Sequence, residues 1–375
     1  MPAAENLKKK DFFALVFFIA LCVALCFLNL CPDTREKPGQ KQPARVLSAD
    51  NSYIEELGLL KKGHQALKVE ILAGPLKGKV FNANNILRAQ MDFDKIFNEG
   101  DKVWVSILDG ANPETDTINA QDFYRKGAAF WLFGLFALLL VLYGGFVGVK
   151  ALASFVFACL VLWKIVVPMC LLGYSAVWVS VLAVLVLTAS ILFLVAGFTR
   201  KGLAAFCGAM SGVLASCIMA WAFARLFSIN GAVMPFSQAL LYSGYENLSL
   251  SDLYVGGIFL SSSGAVMDLS MDVAAGMDEV HLHNPAISRG ALISSGMSIG
   301  RSVVGTMATT LLLAYAGGYL TLMMAFLAQG VSPDDFINSP YIASECVKTI
   351  VGSFGLVLVA PLTALIGGFL IKKTA

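Results

Sequence analysis

Apolar runs of about 20 residues recur along this chain, and that is the length a helix needs to cross the hydrocarbon core of a bilayer. They fall at residues 12–31, 128–147, 151–171, 177–198, 203–227, 254–273, 302–327 and 347–371. With 57% hydrophobic residues, only 14% charged ones and a mean hydropathy of +0.74, a soluble core could not hide this surface. The chain therefore reads as an α-helical polytopic membrane protein of about eight transmembrane helices. The lipid bilayer is its first partner. No basic patch is interleaved with aromatics, so a nucleic-acid partner is not expected.

Charge sets the topology. Alternation from a cytoplasmic N-terminus places Lys8, Lys9, Lys10, Lys150, Arg200, Lys201, Arg289, Arg301, Lys372 and Lys373 inside. The short outer loops, 172–176, 228–252 and 328–345, then contain no Lys or Arg. Both termini are expected in the cytoplasm and residues 32–126 outside, a segment too long for its own charges to count. The first apolar run is long for a cleaved signal and has no A-x-A exit, and Leu30 stands before Cys31 where a lipoprotein needs a small residue. It reads as a retained anchor. The eight cysteines lie in or beside apolar runs, without zinc-ligand spacing, and suit packing.

The expected organisation is a tail and anchor over 1–31, a polar linker over 32–43, an extracytoplasmic domain over 44–126 and a seven-helix block over 127–375. The outer domain shows candidate strands at 44–49, 66–72, 77–82, 102–108 and 117–123, with Val103, Val105 and Ile107 alternating with polar neighbours. A small β-rich barrel, OB-like, is expected, serving as a structural or docking module. Within the membrane block, Lys150-Ala-Leu-Ala-Ser-Phe155 resembles Lys201-Gly-Leu-Ala-Ala-Phe206 roughly two spanning helices later, the pattern of a duplicated hairpin with each copy opening a helix.

The chemistry concentrates in Gly264-Ala-Val-Met-Asp268-Leu-Ser-Met-Asp272. On a helix, Tyr254, Gly257, Ser261, Gly264, Ala265, Asp268, Asp272, Ala275 and Glu279 share one stripe, with Phe259, Val266 and Val273 opposite. Carboxylates at bilayer depth are costly and normally face a bundle interior or a water-filled cavity. Asp268 and Asp272, one turn apart, form a candidate proton or cation site lying toward the cytoplasmic side; the plain alternative is an interfacial Asp272 and a helix-bonding Asp268. Downstream, Arg301 opens a helix carrying Gly305, Thr306, Thr309 and Thr310, whose small and hydroxyl side chains suit close helix contact. Arg301 is expected to pair with Asp272 or Glu279, or else to be an ordinary inside charge. Asp278-Glu279-Val-His281-Leu-His283 could ligate a metal but reads as a solvated turn, and Pro285 opens a short surface helix over 286–297. No catalytic residue, metal or cofactor is expected, and an aspartyl intramembrane protease would need its acids on two helices.

The run from Gly264-Ala-Val-Met-Asp268 through Arg301-x-x-x-Gly305-Thr306-Met-x-Thr309 to Leu311-Leu-Leu-Ala-Tyr315-Ala-Gly317 resembles the YibE/F-like family of bacterial multi-pass membrane proteins. The layout of anchor, outer segment with its Gly74-x-x-x-Gly78-Lys turn and Gly100-Asp-Lys-Val103 strand, and helix block is similar too. Ala308 departs from the Asn expected there. The resemblance implies a bacterial plasma membrane and leaves the activity open. Asp272 with Arg301, Thr309 and Thr310 also looks like the late helices of SecD/SecF-type proteins of the proton-driven RND superfamily. The two function classes expected are ion- or proton-coupled transport through Asp268 and Asp272, and a scaffold or receptor whose outer domain docks another membrane protein.

Overall fold

The computed structural model describes residues 2–28, 30, 40–107, 112 and 116–372. The chain forms two compact units, one of Met1–Pro32 with Leu140–Ala375 and the other of Asp33–Leu139. Cys31, most of the expected linker and Lys373 lie outside the described residues.

The smaller unit holds β1 (Gln40–Asp50), β2 (Ile54–Leu57), β3 (Leu60–Ile71), β4 (Val80–Arg88), β5 (Lys102–Ile107) and β6 (Thr117–Phe123). β1 pairs antiparallel with both β3 and β5, β3 with β4, β5 with β6, and β4 runs parallel to β6, so five strands close into a barrel-like circuit. Inward Val46, Val69, Ile71, Phe81, Val103 and Val105 fill it. All five expected strands are present. β2 was not expected, because its Glu55 and Glu56 carry no apolar alternation. β4 runs past the expected 82 because one of its inward positions is polar. Asn85 is buried and donates to Gln65 Oε1 at 3.1 Å and Lys95 O at 2.5 Å. β1 also starts earlier than expected, at Gln40.

The helices are α1 (Pro2–Phe27), α2 (Lys126–Val161), α3 (Val167–Leu171) after a π-turn at Leu162–Val166, α4 (Ala176–Ala196), α5 (Arg200–Leu226) and α6 (Ser237–Tyr242). Then come α7 (Leu250–His283), α8 (Arg289–Gly318), α9 (Leu320–Ala328), α10 (Pro333–Asn338) and α11 (Pro340–Leu370). Among the described residues 6 helices are long and apolar enough to cross a membrane, and the apolar part of α1, Phe12–Phe27, is shorter. The expected runs 128–147 and 151–171 lie on one stretch, Lys126–Leu171, of 46 residues. At 1.5 Å per residue it would be about 69 Å long if straight, over twice the hydrocarbon thickness. It is not straight, because Gly145 takes φ 53 and ψ −129, a conformation open to glycine. Lys150 sits within α2 beyond that break, whereas Lys201 opens α5, so only one copy of the suspected repeat begins a helix.

Two expectations are corrected around α7. Its start is capped by Ser249, which accepts from Asp252 N, and it runs unbroken to His283. Residues 278–283 are thus its final turns rather than a loop. The short helix expected over 286–297 is simply the first half of α8, capped by Ser288 and uninterrupted through Arg301. No proline or left-handed glycine stands between, so nothing stops it. The packed centre is α5, α7, α8 and α11, brought close by small residues. A Cβ on Gly212 would come within 2.8 Å of Val359 and 3.0 Å of Val266, and one on Gly300 within 2.6 Å of Ala360.

Candidate functional site

α7 has 34 residues, about 51 Å at 1.5 Å per residue, and Asp268 lies within two residues of its middle. The expected position nearer one end assumed a helix starting at Tyr254. Phe259, Val266 and Val273 are fully buried on the core side, as the stripe requires. The acid side is different from expectation. Ser261, Asp268, Asp272 and Glu279 are exposed, and a Cβ on Gly257 or Gly264 would meet nothing within 4 Å. The stripe faces out of the bundle, as the floor of an open face between α4, which meets α7 at Ser180 beside Gly256, and α8, which meets it at Ile299 beside Gly276. Asp272 and Asp268 stand about 40° and 80° round α7 from Gly276, on the α8 side of that open face.

α8 is antiparallel to α7. Gly300 sits beside Val273 and Gly296 beside Met277, which brings Arg301 level with Asp272 and Gly305 level with Asp268. Arg301 nevertheless pairs with neither Asp272 nor Glu279. Ile299 marks the flank toward α7, and Arg301, two residues on, points about 160° away from it. Arg301, Asp268 and Asp272 are exposed and make no ion pair among the described residues. Thr306 and Thr310 fall within about 20° of Ile299, on the rim of the α7 face, while Gly305 and Thr309 turn outward.

The α8 hydroxyls spend their donors on their own helix. Thr306, Thr309 and Thr310 donate to Val303 O, Gly305 O and Thr306 O at 2.9, 3.1 and 2.9 Å, which leaves oxygen lone pairs for an incoming donor. The expected bridging between helices is made instead by Tyr315, whose hydroxyl donates to Ser261 Oγ at 3.0 Å. Nor are Gly264 and Gly305 the close-approach glycines, since both face open space; Gly276, Gly296 and Gly300 take that role.

Tyr315 also borders an open cavity of about 860 Å³ lined by residues 232–238 and the neighbouring ends of α8, α9 and α11. Glu345 and Lys348 line it, with Lys348 Nζ 3.1 and 3.2 Å from the two carboxylate oxygens. Tyr319 shares a hydrogen bond of 3.3 Å with Thr349. These residues were missed by the sequence reading. The available signal was an acid and a base three residues apart at the head of an apolar helix, where charges rarely stand without purpose. From Ser261 to Asp268 is seven residues of helix, about 10 Å, so cavity and acid stripe adjoin.

The remaining acids of α7 are occupied. Glu279 Oε1 lies 3.0 Å from His283 Nε2, and Asp278 Oδ2 lies 3.7 Å from Lys201 Nζ. No group of three or more His, Cys, Asp or Glu side chains among the described residues is placed to hold a metal ion. In the barrel a second, polar cavity of about 600 Å³ is bordered by Lys41, Arg88, Lys95, Asn119 and Asp122.

Compared with known proteins, a family model described as YibE/F-like protein matches residues 132–373, which takes in the helices from α2 onward and leaves out the barrel strands. No curated protein and no solved structure matches the chain.

Proposed function

The chain belongs to the YibE/F-like family, and from that premise we propose that it carries protons or a small cation through the membrane, or couples their movement to work, at Asp268 and Asp272. The observation that carries the reading is the pair of carboxylates at mid-helix in an otherwise apolar span, on a face that also presents Ser261 and Thr306. Insertion scales charge about 2.5–3.5 kcal/mol for an acid at the centre of a spanning helix, a cost rarely kept without function. The adjoining cavity, joined to the stripe by Tyr315 and Ser261, gives the ion an approach from the Leu250 end of α7.

In this reading the chain sits in a bacterial plasma membrane with both termini inside. The Gly145 break divides Lys126–Leu171 into two spans, which with α1 and the five other long apolar helices α4, α5, α7, α8 and α11 gives eight. The barrel lies outside, and the parallel pairing of β4 with β6 supports an OB-like assignment. No catalytic residue and no cofactor is assigned. The test is Asp268→Asn in proteoliposomes holding a pH-sensitive dye. Proton or cation flux across an imposed gradient should drop to the level of empty vesicles, with the purified variant as stable as the parent. Unchanged flux would sink the reading.

A docking role for the barrel is favoured by one observation, the polar cavity rimmed with Lys41, Arg88 and Lys95. If docking is the whole function, changes at that rim abolish activity and Asp268→Asn is silent.

A further inference from the structure

We propose that the open face of α7 is closed by α8 of a second copy of this chain, whose Arg301 pairs with Asp272 and Asp268 across the interface. The argument starts from cost. Two carboxylates and one guanidinium stand exposed and unpaired among the described residues, on spans that lipid would otherwise surround. Intramembrane charges of this kind are relieved by pairing with one another or by water. Within one chain the pairing is not made, and Arg301 lies about 160° round α8 from Ile299, the side chain that packs beside Gly276 of α7.

A second copy supplies the pairing. A two-fold axis along the membrane normal leaves every residue at its own depth. Arg301 is level with Asp272 in its own chain, so the partner's Arg301 arrives level with Asp272 and one helical turn from Asp268. No adjustment of depth is needed. The shapes agree as well. The outward ridge of α8 is Ser298, Arg301, Gly305 and Thr309, and the α7 face opposite offers Gly257 and Gly264, where added side-chain atoms would meet nothing. Small residues on both sides let helices approach closely and bring a charge pair into reach. Residues 127–149 are no substitute, because they contain no charged side chain to meet the acids. The contact is reciprocal, each α8 filling the other's open face, and the acid site is incomplete without the partner.

The experiment uses the full chain in lipid vesicles, with stoichiometry counted by single-molecule photobleaching at rising lipid dilution. Dimers are expected. Arg301→Glu should dissociate them at about tenfold lower lipid dilution or less. Combining Arg301→Glu with Asp272→Arg should restore them. Arg301→Met, which removes the charge and keeps an aliphatic stem, guards against misfolding and should weaken the dimer too. Two differently tagged chains, one Gly264→Cys and one Thr309→Cys, should form a cross-linked heterodimer absent from the unsubstituted chains. Monomers at every dilution, dimers indifferent to both Arg301 variants, or no heterodimer cross-link would each overturn the proposal. The readout needs no ion gradient, so intact dimers without flux would remove the transport reading alone, and flux from monomers would remove this one alone.

Discussion

Gln65 shows how much one polar side chain can organise when every atom is used. It is fully buried on β3. Its Nε2 donates to Asn51 Oδ1 and Phe97 O, both at 2.7 Å, while its Oε1 accepts from Phe97 N and Asn85 Nδ2, both at 3.1 Å. Gln65→Leu would keep the volume and strand the Phe97 groups and one side of Asn85, and each unmade bond of a buried group costs about 1–3 kcal/mol. The barrel should lose at least about 2 kcal/mol, read as faster hydrogen exchange of the β3 and β4 amides in the full chain, with the helices unaffected. At this scale the sequence was informative about direction and silent about surroundings. Helical spacing put Asp268, Asp272 and Ser261 on one side and Phe259, Val266 and Val273 on the other, and the structure agrees for these, but Tyr254, placed with the acids, is buried and donates to Ser344 O at 2.6 Å. Whether the acid side met a neighbour could not be read, because that depends on where α4 and α8 pack. Pairing Arg301 with Asp272 failed for the same reason. Depth along a hairpin is legible from residue counting, but rotation about α8 is set by Gly276 admitting Ile299.

β6 illustrates an element held partly by charge. Asp122 lies 2.9 Å from Arg125 Nη1 and 3.4 Å from Lys95 Nζ. Burial pushes its carboxyl up, but the Arg125 guanidinium, the Phe123 N–H and the Lys95 ammonium outweigh that and hold it below the ordinary carboxylate value. The folded state therefore binds this proton less readily than the unfolded one. The contribution to stability is complete above the unfolded carboxylate value near about 4, fades as the pH falls from there, and is gone below the folded value. Amide protection over residues 117–123, corrected for intrinsic exchange, should decline below about pH 4 in the parent chain and lose that component in Asp122→Asn. Both side chains are partly solvated, so added salt should shrink the difference. Among elements, those with a clean period were legible and those crossing a change of environment were not. β5 alternates throughout and was bounded to within a residue. β4 hid its period behind a buried Asn85, and α8 lost its beginning because a polar surface turn and an apolar span share one helix with no stop signal between them.

For the whole molecule, composition alone announced a membrane protein, but the number of crossings turns on a single backbone position. Lys126–Leu171 is long enough for two crossings, and Gly145 is where it departs from helical geometry. A conformation with φ 53 and ψ −129 strains any residue that has a Cβ, so the break belongs to the sequence and not to chance packing. The segments on either side have about 20 and 26 residues, each enough for the hydrocarbon core. If both cross, Gly144 emerges on the side opposite Gly173, and Lys150, near the break, belongs to the same side as Arg200 and Lys201. If the stretch crosses once, a bilayer must cover most of residues 127–149 lengthwise, and no charge in that segment would favour the interface. Single cysteines placed at Gly144 and at Gly173, on a background lacking the native thiols, distinguish the two. Two crossings predict that an impermeant thiol reagent labels the Gly173→Cys chain in intact cells and the Gly144→Cys chain only after the membrane is opened. Labelling of the Gly144→Cys chain from outside, and of the Gly173→Cys chain only after the membrane is opened, would reduce the crossings to one and reverse the side assigned to Lys150. It would also place the barrel and the first turns of α7 on opposite faces of the membrane, which removes the outer approach to Asp268 on which the transport reading draws.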